Sequence, residues 1–308
     1  MADIASQAGI RAVEPFVPSA SKLCVYLWDE AWQHAPQVLK GDDEALHDMR
    51  VALRRLRSTL ENCAALKGSS LRPDIAKEMR AERQSLSKLG DALGAVRDFD
   101  VLCAYLQNYI ETERQSESNE DLDLFFKYLH ERRDEHFAPM THAIERANRP
   151  RKKREEFARW AHSLAGVREP DVPLLEAARQ VLALRIDEAL EMGPVLQSSD
   201  EHEQHNLRKS LRRLRYTLEA FAPAFTKPKA FIKTLTSMQD ELGEMQDRSV
   251  LRAMLLSCFE QKHIKDLPPG AHEFAQFGEA KRDELLQQMR ATWDQHIQQG
   301  LWDSMRKA

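Results

Sequence analysis

The stretch from His205 to Glu219 reads HNLRKSLRRLRYTLE, and a near copy, HDMRVALRRLRSTLE, runs from His47 to Glu61. In the later copy, leucines recur at helical spacing, which places Leu207, Leu211, Leu214 and Leu218 on one face of a helix. A second stripe lies immediately beside them and consists of His205, Arg208, Arg212 and Arg215. Such a helix can bury its leucines in a core and still present a row of cations.

The earlier copy repeats both stripes. Its apolar row is Leu46, Met49, Leu53 and Leu56, and its cationic row is His47, Arg50, Arg54 and Arg57. No acidic residue interrupts the later copy between Gln204 and Leu218, and Lys209 and Arg213 add further charge there. Cations at helical spacing repel one another when no carboxylate lies within one turn. The two rows therefore predict a site for an anionic ligand.

The two copies belong to a longer internal repeat. Residues 29–61 match residues 187–219 at an offset of 158, and residues 93–101 match residues 242–250 at an offset of 149. With 11 glycines in 308 residues and no strand pattern, the composition predicts an all-α protein. We expect an internally duplicated helical bundle, with two similar halves about a pseudo-twofold axis and a basic central groove or pore.

The predicted domain organisation follows from the positions of the repeated segments. Residues 1–18 lack periodicity and are predicted to be a mobile N-terminal tail, followed by a single duplicated domain over residues 19–308. Its first half covers residues 19–165 and its second half residues 172–305. We expect a first helix from Ser19 to Leu39 that Pro36 disturbs near its end. A later helix starts at Pro73 and is expected to break at Gly94.

Charge and composition limit the function classes. The formal net charge is -4, so the arginine rows are a local basic feature on a slightly acidic chain. The four cysteines lie singly without a CxxC pair, which is typical of buried thiols in a reducing compartment. No run of about eighteen apolar residues predicts a membrane span, and the first residues lack the pattern of a signal peptide. These features predict a cytoplasmic protein.

The sequence resembles the CHAD domain, the conserved histidine α-helical domain, over about residues 19–305. The resemblance rests on HDMRVALRRLR and HNLRKSLRRLRYTLE, each followed by an LG-containing segment, LGAVRDFDVL and DELGEMQDRSVL. It implies a duplicated helical bundle that binds inorganic polyphosphate, often at polyphosphate granules, without catalysis or a cofactor. The residues that it assigns to binding are His47, Arg50, Arg54, Arg57, Arg97, His205, Arg208, Lys209, Arg212, Arg213 and Arg215. Gln246 stands where the second half would match Arg97.

Three other functions remain open at the level of sequence. A nucleic acid offers the same phosphate chemistry, but single-strand binding adds aromatic stacking, and the basic stripes contain only Tyr216. A metal-dependent phosphohydrolase needs clustered ligands, and the arginines beside His205 would repel a metal cation. A structural helical scaffold would have no affinity for polyanions. The sequence does not reveal the oligomeric state or the preferred chain length of a polyphosphate ligand.

The two histidines carry a pH prediction. Each lies in the first two turns of its helix, where the backbone dipole and N–H groups favour an anion. An unperturbed histidine titrates near 6.5. The sequence therefore predicts that affinity for a phosphate polymer rises as pH falls through about 6.5.

Overall fold

The computed structural model of the protein describes residues 4–66, 73–113, 120–147, 150–163, 172–198 and 200–308. Those residues form α-helices joined by short connections, and the described part of the chain contains no β-strand. Two 3₁₀ turns follow α8 and α9. In chain order the helices are α1 Ile4–Gln7, α2 Phe16–Gln33, α3 Ala35–Val38, α4 Asp43–Ala65, α5 Pro73–Thr112, α6 Glu120–Ala147, α7 Pro150–Ser163, α8 Leu174–Met192, α9 Glu201–Ala220, α10 Pro228–Gln261, α11 Pro269–Gln298 and α12 Leu301–Arg306. The all-α prediction is confirmed.

The helices pack in two chain-ordered groups that meet at α4 and α9. In the first group α4 packs on α2 and α5, while α5 pairs with α6 and α2 with α7. In the second group α9 packs on α8 and α10, and α10 pairs with α11. Contacts between α4 and α9 join the groups, and α6 also touches α10 and α11.

Two apolar cores stabilise this arrangement. The larger core contains the leucine stripes of α4 and α9, whose eight members are at most 2% exposed. Burial of each such side chain contributes about 1.5–3 kcal/mol before the entropy of ordering is counted. The smaller core joins the far ends of the long helices, with Leu106 and Leu255 of α5 and α10 packed near Phe125 and Phe274 of α6 and α11. The predicted apolar faces of the two repeated stretches are therefore buried.

Residues 4–18 are packed, which corrects the prediction of a mobile tail. Ile4, Ala5, Ile10 and Phe16 are all buried in the larger core. The backbone N–H of Phe16 also donates to the carbonyl oxygen of Val172 at 2.9 Å. Apolar residues spaced irregularly in a polar segment carry no periodic signal, yet Ile4, Ala5, Ile10 and Phe16 fill gaps in the core.

Two helix boundaries also differ from the sequence expectations. The first long helix begins at Phe16 and ends at Gln33, ahead of the short α3 that contains Pro36, so the predicted disturbance near Pro36 is confirmed. The predicted break at Gly94 is wrong, because α5 continues from Pro73 to Thr112. Gly94 has a different role, described below. None of the helices in the described ranges is both long enough and apolar enough to cross a membrane.

Candidate anion-binding site

The arginine rows lie along the flanks of the buried leucine stripes. Because Arg54 follows Leu53 and Arg212 follows Leu211 in the chain, each arginine emerges about 100° around the helix from a fully buried leucine. Arg50, Arg54, Arg57, Arg208, Arg212 and Arg215 are all partly buried rather than fully solvated. Packing of α4 on α9 brings the two rows into one region of the molecule.

Arg54, Arg208 and Arg212 form the centre of this region. Burial, together with the nearby cations of Arg54 and Arg208, lowers the pKa of Arg212 to about 9. Burial also lowers the pKa of Arg208, and Arg54 is again one of the cations that contribute. All three guanidinium groups keep their protons at neutral pH. The lowered pKa values therefore report desolvation and mutual repulsion within a group of like charges.

Four of the arginines form no hydrogen bond or ion pair with a described residue, although the carboxylates of Asp91 and Asp247 lie close enough to oppose the lowered pKa values of Arg57 and Arg208. Neither a hydrogen bond nor an ion pair joins Arg54, Arg57, Arg208 or Arg212 to any residue in the described ranges. The Nε atom of Arg208 is buried and unbonded. Partly buried charges are costly unless they are paired. A bound anion with several oxygens would supply the acceptors that these groups lack.

Glycines on the neighbouring helices make room for the arginine side chains. A Cβ atom placed on Gly94 of α5 would lie 3.2 Å from Nη2 of Arg50, and one on Gly243 of α10 would lie 2.7 Å from Nη2 of Arg208. Arg57 approaches Gly90 in the same way, at 3.3 Å. A glycine is needed at position 94 because the guanidinium of Arg50 approaches it closely, and not because the helix breaks there. These glycines fix where three members of the rows can lie.

Acidic side chains border the cationic region on one side. Arg50 donates from Nη1 to Oδ1 of Asp98 at 3.0 Å, although Asp98 is 69% exposed. Burial raises the pKa of Asp247, an effect that Arg208 opposes and Asp98 reinforces. Asp98 and Asp247 are 149 residues apart, the offset of the repeat. Both carboxylates would compete with an external anion for the arginines beside them.

The two histidines lie at the start of the rows, but their chemistry differs from the sequence prediction. Partial burial lowers the pKa of His47, and the cation of Arg97 contributes. Burial and the cations of Lys209 and Arg208 lower the pKa of His205 to about 4. The Nδ1 atom of His205 is buried and bonded to no described residue. The ring of His205 is therefore neutral near pH 6.5 when no anion is present, the pKa of His47 is shifted in the same direction, and the predicted titration is displaced to lower pH.

The remaining predicted residues lie at the edges of the region. Arg215 donates to Oγ1 of Thr236 at 3.2 Å, and its Nε lies 3.7 Å from Oε1 of Glu219. Arg97 lies 3.5 Å from Oδ2 of Asp43. Lys209 is exposed and its nearest described polar partner is Asn206 at 3.5 Å. These three side chains can reach an extended ligand only from its periphery.

Arg213 takes part in the α4–α9 contact rather than in the unpaired group. Its Nη1 lies 3.3 Å from Oε1 of Glu61, and its Nε lies 3.9 Å from Oε2 of Glu188. The corresponding residue of α4, Arg55, donates from Nε to Oε2 of Glu219 at 2.8 Å. The sequence analysis did not single out Arg55, Glu61 or Glu219. Their common offset of 158 was the signal that could have paired them.

No cluster of three or more histidine, cysteine or carboxylate side chains that could hold a metal ion occurs among the residues that the structure describes. The cysteines in those ranges form no disulfide and are buried, and burial raises the pKa values of Cys24, Cys103 and Cys258. Thiols with raised pKa values are poor nucleophiles and poor metal ligands. The chemistry of the region is therefore that of guanidinium groups.

Comparison with known proteins identifies the fold. The family model of the CHAD domain matches residues 26–256. A crystal structure of the CHAD domain from the plant Ricinus communis has a TM-score of 0.66 and 24% identity, and the match covers 92% of this chain and 93% of that one. PptA from Streptomyces chartreusis has a TM-score of 0.64 and 17% identity, with 92% and 100% covered. At these identities the two structures establish a shared fold. No curated protein matches the chain.

Proposed function

The chain belongs to the CHAD domain family, a family related to polyphosphate, and from that premise we propose that it binds inorganic polyphosphate through the facing rows of α4 and α9. The observation that carries the proposal is the set of four arginines that form no hydrogen bond or ion pair with a described residue, Arg54, Arg57, Arg208 and Arg212. A chain of linked phosphates offers each guanidinium a pair of oxygens in the geometry that arginine prefers.

Binding is driven by charge neutralisation and release of counterions. The polymer replaces repulsion between Arg54, Arg208 and Arg212 with attraction, so the same burial that destabilises the unliganded cluster strengthens the complex. Contact with about eight to ten phosphates would make the logarithm of affinity fall with the logarithm of salt concentration at a slope of about -6 to -7. The role is binding without catalysis.

The duplicated architecture suits a polymer of this kind. Two repeat-related halves, with α4 and α9 as equivalent helices, would place the rows about a pseudo-twofold axis in one basic groove. The reciprocal pairs Arg55–Glu219 and Arg213–Glu61 support this symmetry, because their members are exchanged between helices at one offset. Inorganic polyphosphate has no chain direction, so both halves can contact it alike. A cytoplasmic protein with this property would collect at polyphosphate granules.

Nucleic acid is the second candidate ligand, and calorimetric titration separates the two. The protein is titrated with long-chain polyphosphate at about physiological salt, and with single-stranded RNA and DNA of equal phosphate count. We expect polyphosphate to bind about tenfold or more tightly than either nucleic acid, because the rows offer no aromatic platform beyond Tyr216, which is buried. Equal affinity for all three would show a general polyanion site, and no binding would reduce the rows to a structural role.

A further inference from the structure

A cavity of about 490 Å³ lies between α4, the end of α9, the first half of α10 and the N-terminal helix α1. Its volume is within the range of small-molecule sites. Thr236 on its wall accepts a hydrogen bond from Arg215, so the cavity adjoins the arginine rows without containing their unpaired members. The cavity is therefore next to the candidate anion-binding site, but different residues line it.

The chemistry of this lining does not suit inorganic polyphosphate. Ile4, Pro228 and Ile232 contribute apolar surface, which a chain of phosphates cannot use. Asp240 also lines the cavity and would repel it. Arg55 and Glu219 also line the cavity but pair with each other. An occupant that fits the other charged and apolar groups needs an apolar body, a hydrogen-bond donor for Asp240, and an anionic group for Lys229 and Lys233.

The repeat shows how the two halves differ here. In the first half, Arg83 of α5 lies 3.6 Å from Oε2 of Glu61. The offset of 149 places Ile232 of α10 at the position of Arg83, and the offset of 158 places Glu219 at the position of Glu61. The second half thus has an aliphatic side chain where the first has a paired guanidinium. The packed α1 then closes this side with Ile4, which has no repeat-related copy.

We propose that this cavity binds a nucleotide. The planar base packs on Ile4 and Ile232, its amino group donates to Asp240, and the phosphate pairs with Lys229 and Lys233. A purine base combines apolar faces with donors at its edge, and its phosphate is the anion that lysines bind as point charges. The inference goes beyond polyphosphate binding and does not require it.

The test uses the full chain and adenosine monophosphate as the probe, measured by calorimetry against inorganic phosphate. We expect the nucleotide to bind about tenfold or more tightly than phosphate alone, because only the nucleotide uses the apolar wall. Ile232→Arg reproduces the first half and should weaken nucleotide affinity by about tenfold or more while preserving affinity for long-chain polyphosphate. The matched control Arg83→Ile changes the equivalent residue of the other half and should leave nucleotide affinity unchanged.

A second variant keeps the test valid if Ile232→Arg fails to fold. Lys233 is exposed, and the equivalent residue of the first half is Gln84. Lys233→Gln should therefore preserve the fold and lower the affinity for the nucleotide by about threefold or more. Equal affinity for nucleotide and phosphate, or insensitivity to both cavity variants, would overturn the proposal. A wild-type protein that binds adenosine monophosphate but not polyphosphate would instead refute the proposed function. The two failures are therefore distinguishable.

Discussion

Arg55 of α4 donates from Nε to Oε2 of Glu219 on α9 at 2.8 Å, across the contact that joins the two groups of helices. The repeat-related residues form the same pair in the opposite sense, with Nη1 of Arg213 at 3.3 Å from Oε1 of Glu61. Each helix therefore contributes one arginine and one glutamate to its partner. These ion pairs cross the same contact that brings the unpaired arginines of α4 and α9 into one region.

The two pairs should differ in their contribution to stability. Arg55 and Glu219 have side chains 21% and 6% exposed, whereas Arg213 and Glu61 are 37% and 23% exposed. Arg55→Ala leaves a buried carboxylate without its closest donor, and we expect it to lower the free energy of unfolding by about 2 kcal/mol. Arg213→Ala should cost below about 1 kcal/mol because water can replace the lost partner. Urea denaturation of both variants measures the difference, and equal losses would contradict this account.

Substitution of the glycines that contact the arginines should change polyphosphate affinity without lowering the stability of the fold. Replacing glycine with alanine inside a helix ordinarily stabilises it by about 1 kcal/mol. In Gly243→Ala the new methyl group displaces the end of Arg208, so we expect polyphosphate affinity to fall about fivefold or more with no loss of stability. Gly94→Ala should have a smaller effect, since its contact with Arg50 is 3.2 Å rather than 2.7 Å.

The control for this experiment is Gly278→Ala on α11. A Cβ atom there meets nothing within 4 Å. It should raise stability and leave affinity unchanged, as measured by thermal denaturation and calorimetric titration of the same samples. A loss of affinity in Gly278→Ala equal to that in Gly243→Ala would show that helix rigidity, and not the placement of Arg208, governs binding.

The unpaired cluster should be costly in the absence of a ligand. Arg212→Gln removes a partly buried cation from beside Arg54 and Arg208, and we expect it to raise the free energy of unfolding by about 1 kcal/mol. The same change should lower polyphosphate affinity about tenfold. Lys265→Gln, at an exposed position outside the rows, should change neither quantity appreciably. Thermal denaturation with and without polyphosphate tests both statements, and a destabilised Arg212→Gln variant would refute them.

The lowered pKa of His205 predicts a specific pH dependence. In the unfolded chain this histidine takes up a proton near 6.5, whereas in the folded protein it does so only near 4. Protons therefore favour the unfolded state, and stability is lost as pH falls from about 6.5 to about 4. We expect His205→Asn to remove about 2 kcal/mol of that loss. Urea denaturation at several pH values measures it, and parallel curves for the two proteins would contradict the assignment.

The same residue should couple pH to binding. A bound polyanion favours the protonated ring and raises its pKa, so affinity should rise as pH falls below neutrality toward 4. His205→Asn should flatten this rise in calorimetric titrations. An unchanged pH profile in the variant would show that the proton is taken up elsewhere.

Much of this arrangement was predictable from local pattern. The leucine stripes predicted which faces of α4 and α9 are buried, because helical periodicity depends only on sequence spacing. The packed N-terminal segment was not predicted, because Ile10 and Phe16 bury themselves against helices distant in the chain. Gly94 was misinterpreted because the side chain that needs its missing Cβ, Arg50, belongs to another helix. Arg213 was grouped with the other cations because spacing alone does not reveal a carboxylate on α4.

The most direct test of the central claim compares the salt dependence of polyphosphate affinity in the wild-type protein and in the double variant Arg54→Gln and Arg212→Gln. Calorimetric titration at several salt concentrations should give the wild type a slope of about -6 to -7, as contact with about eight to ten phosphates requires. The double variant should bind polyphosphate about a hundredfold more weakly, and its slope of log affinity against log salt concentration should be closer to zero by about one. Unchanged affinity and slope in the double variant would contradict the claim that the unpaired arginines hold the polymer.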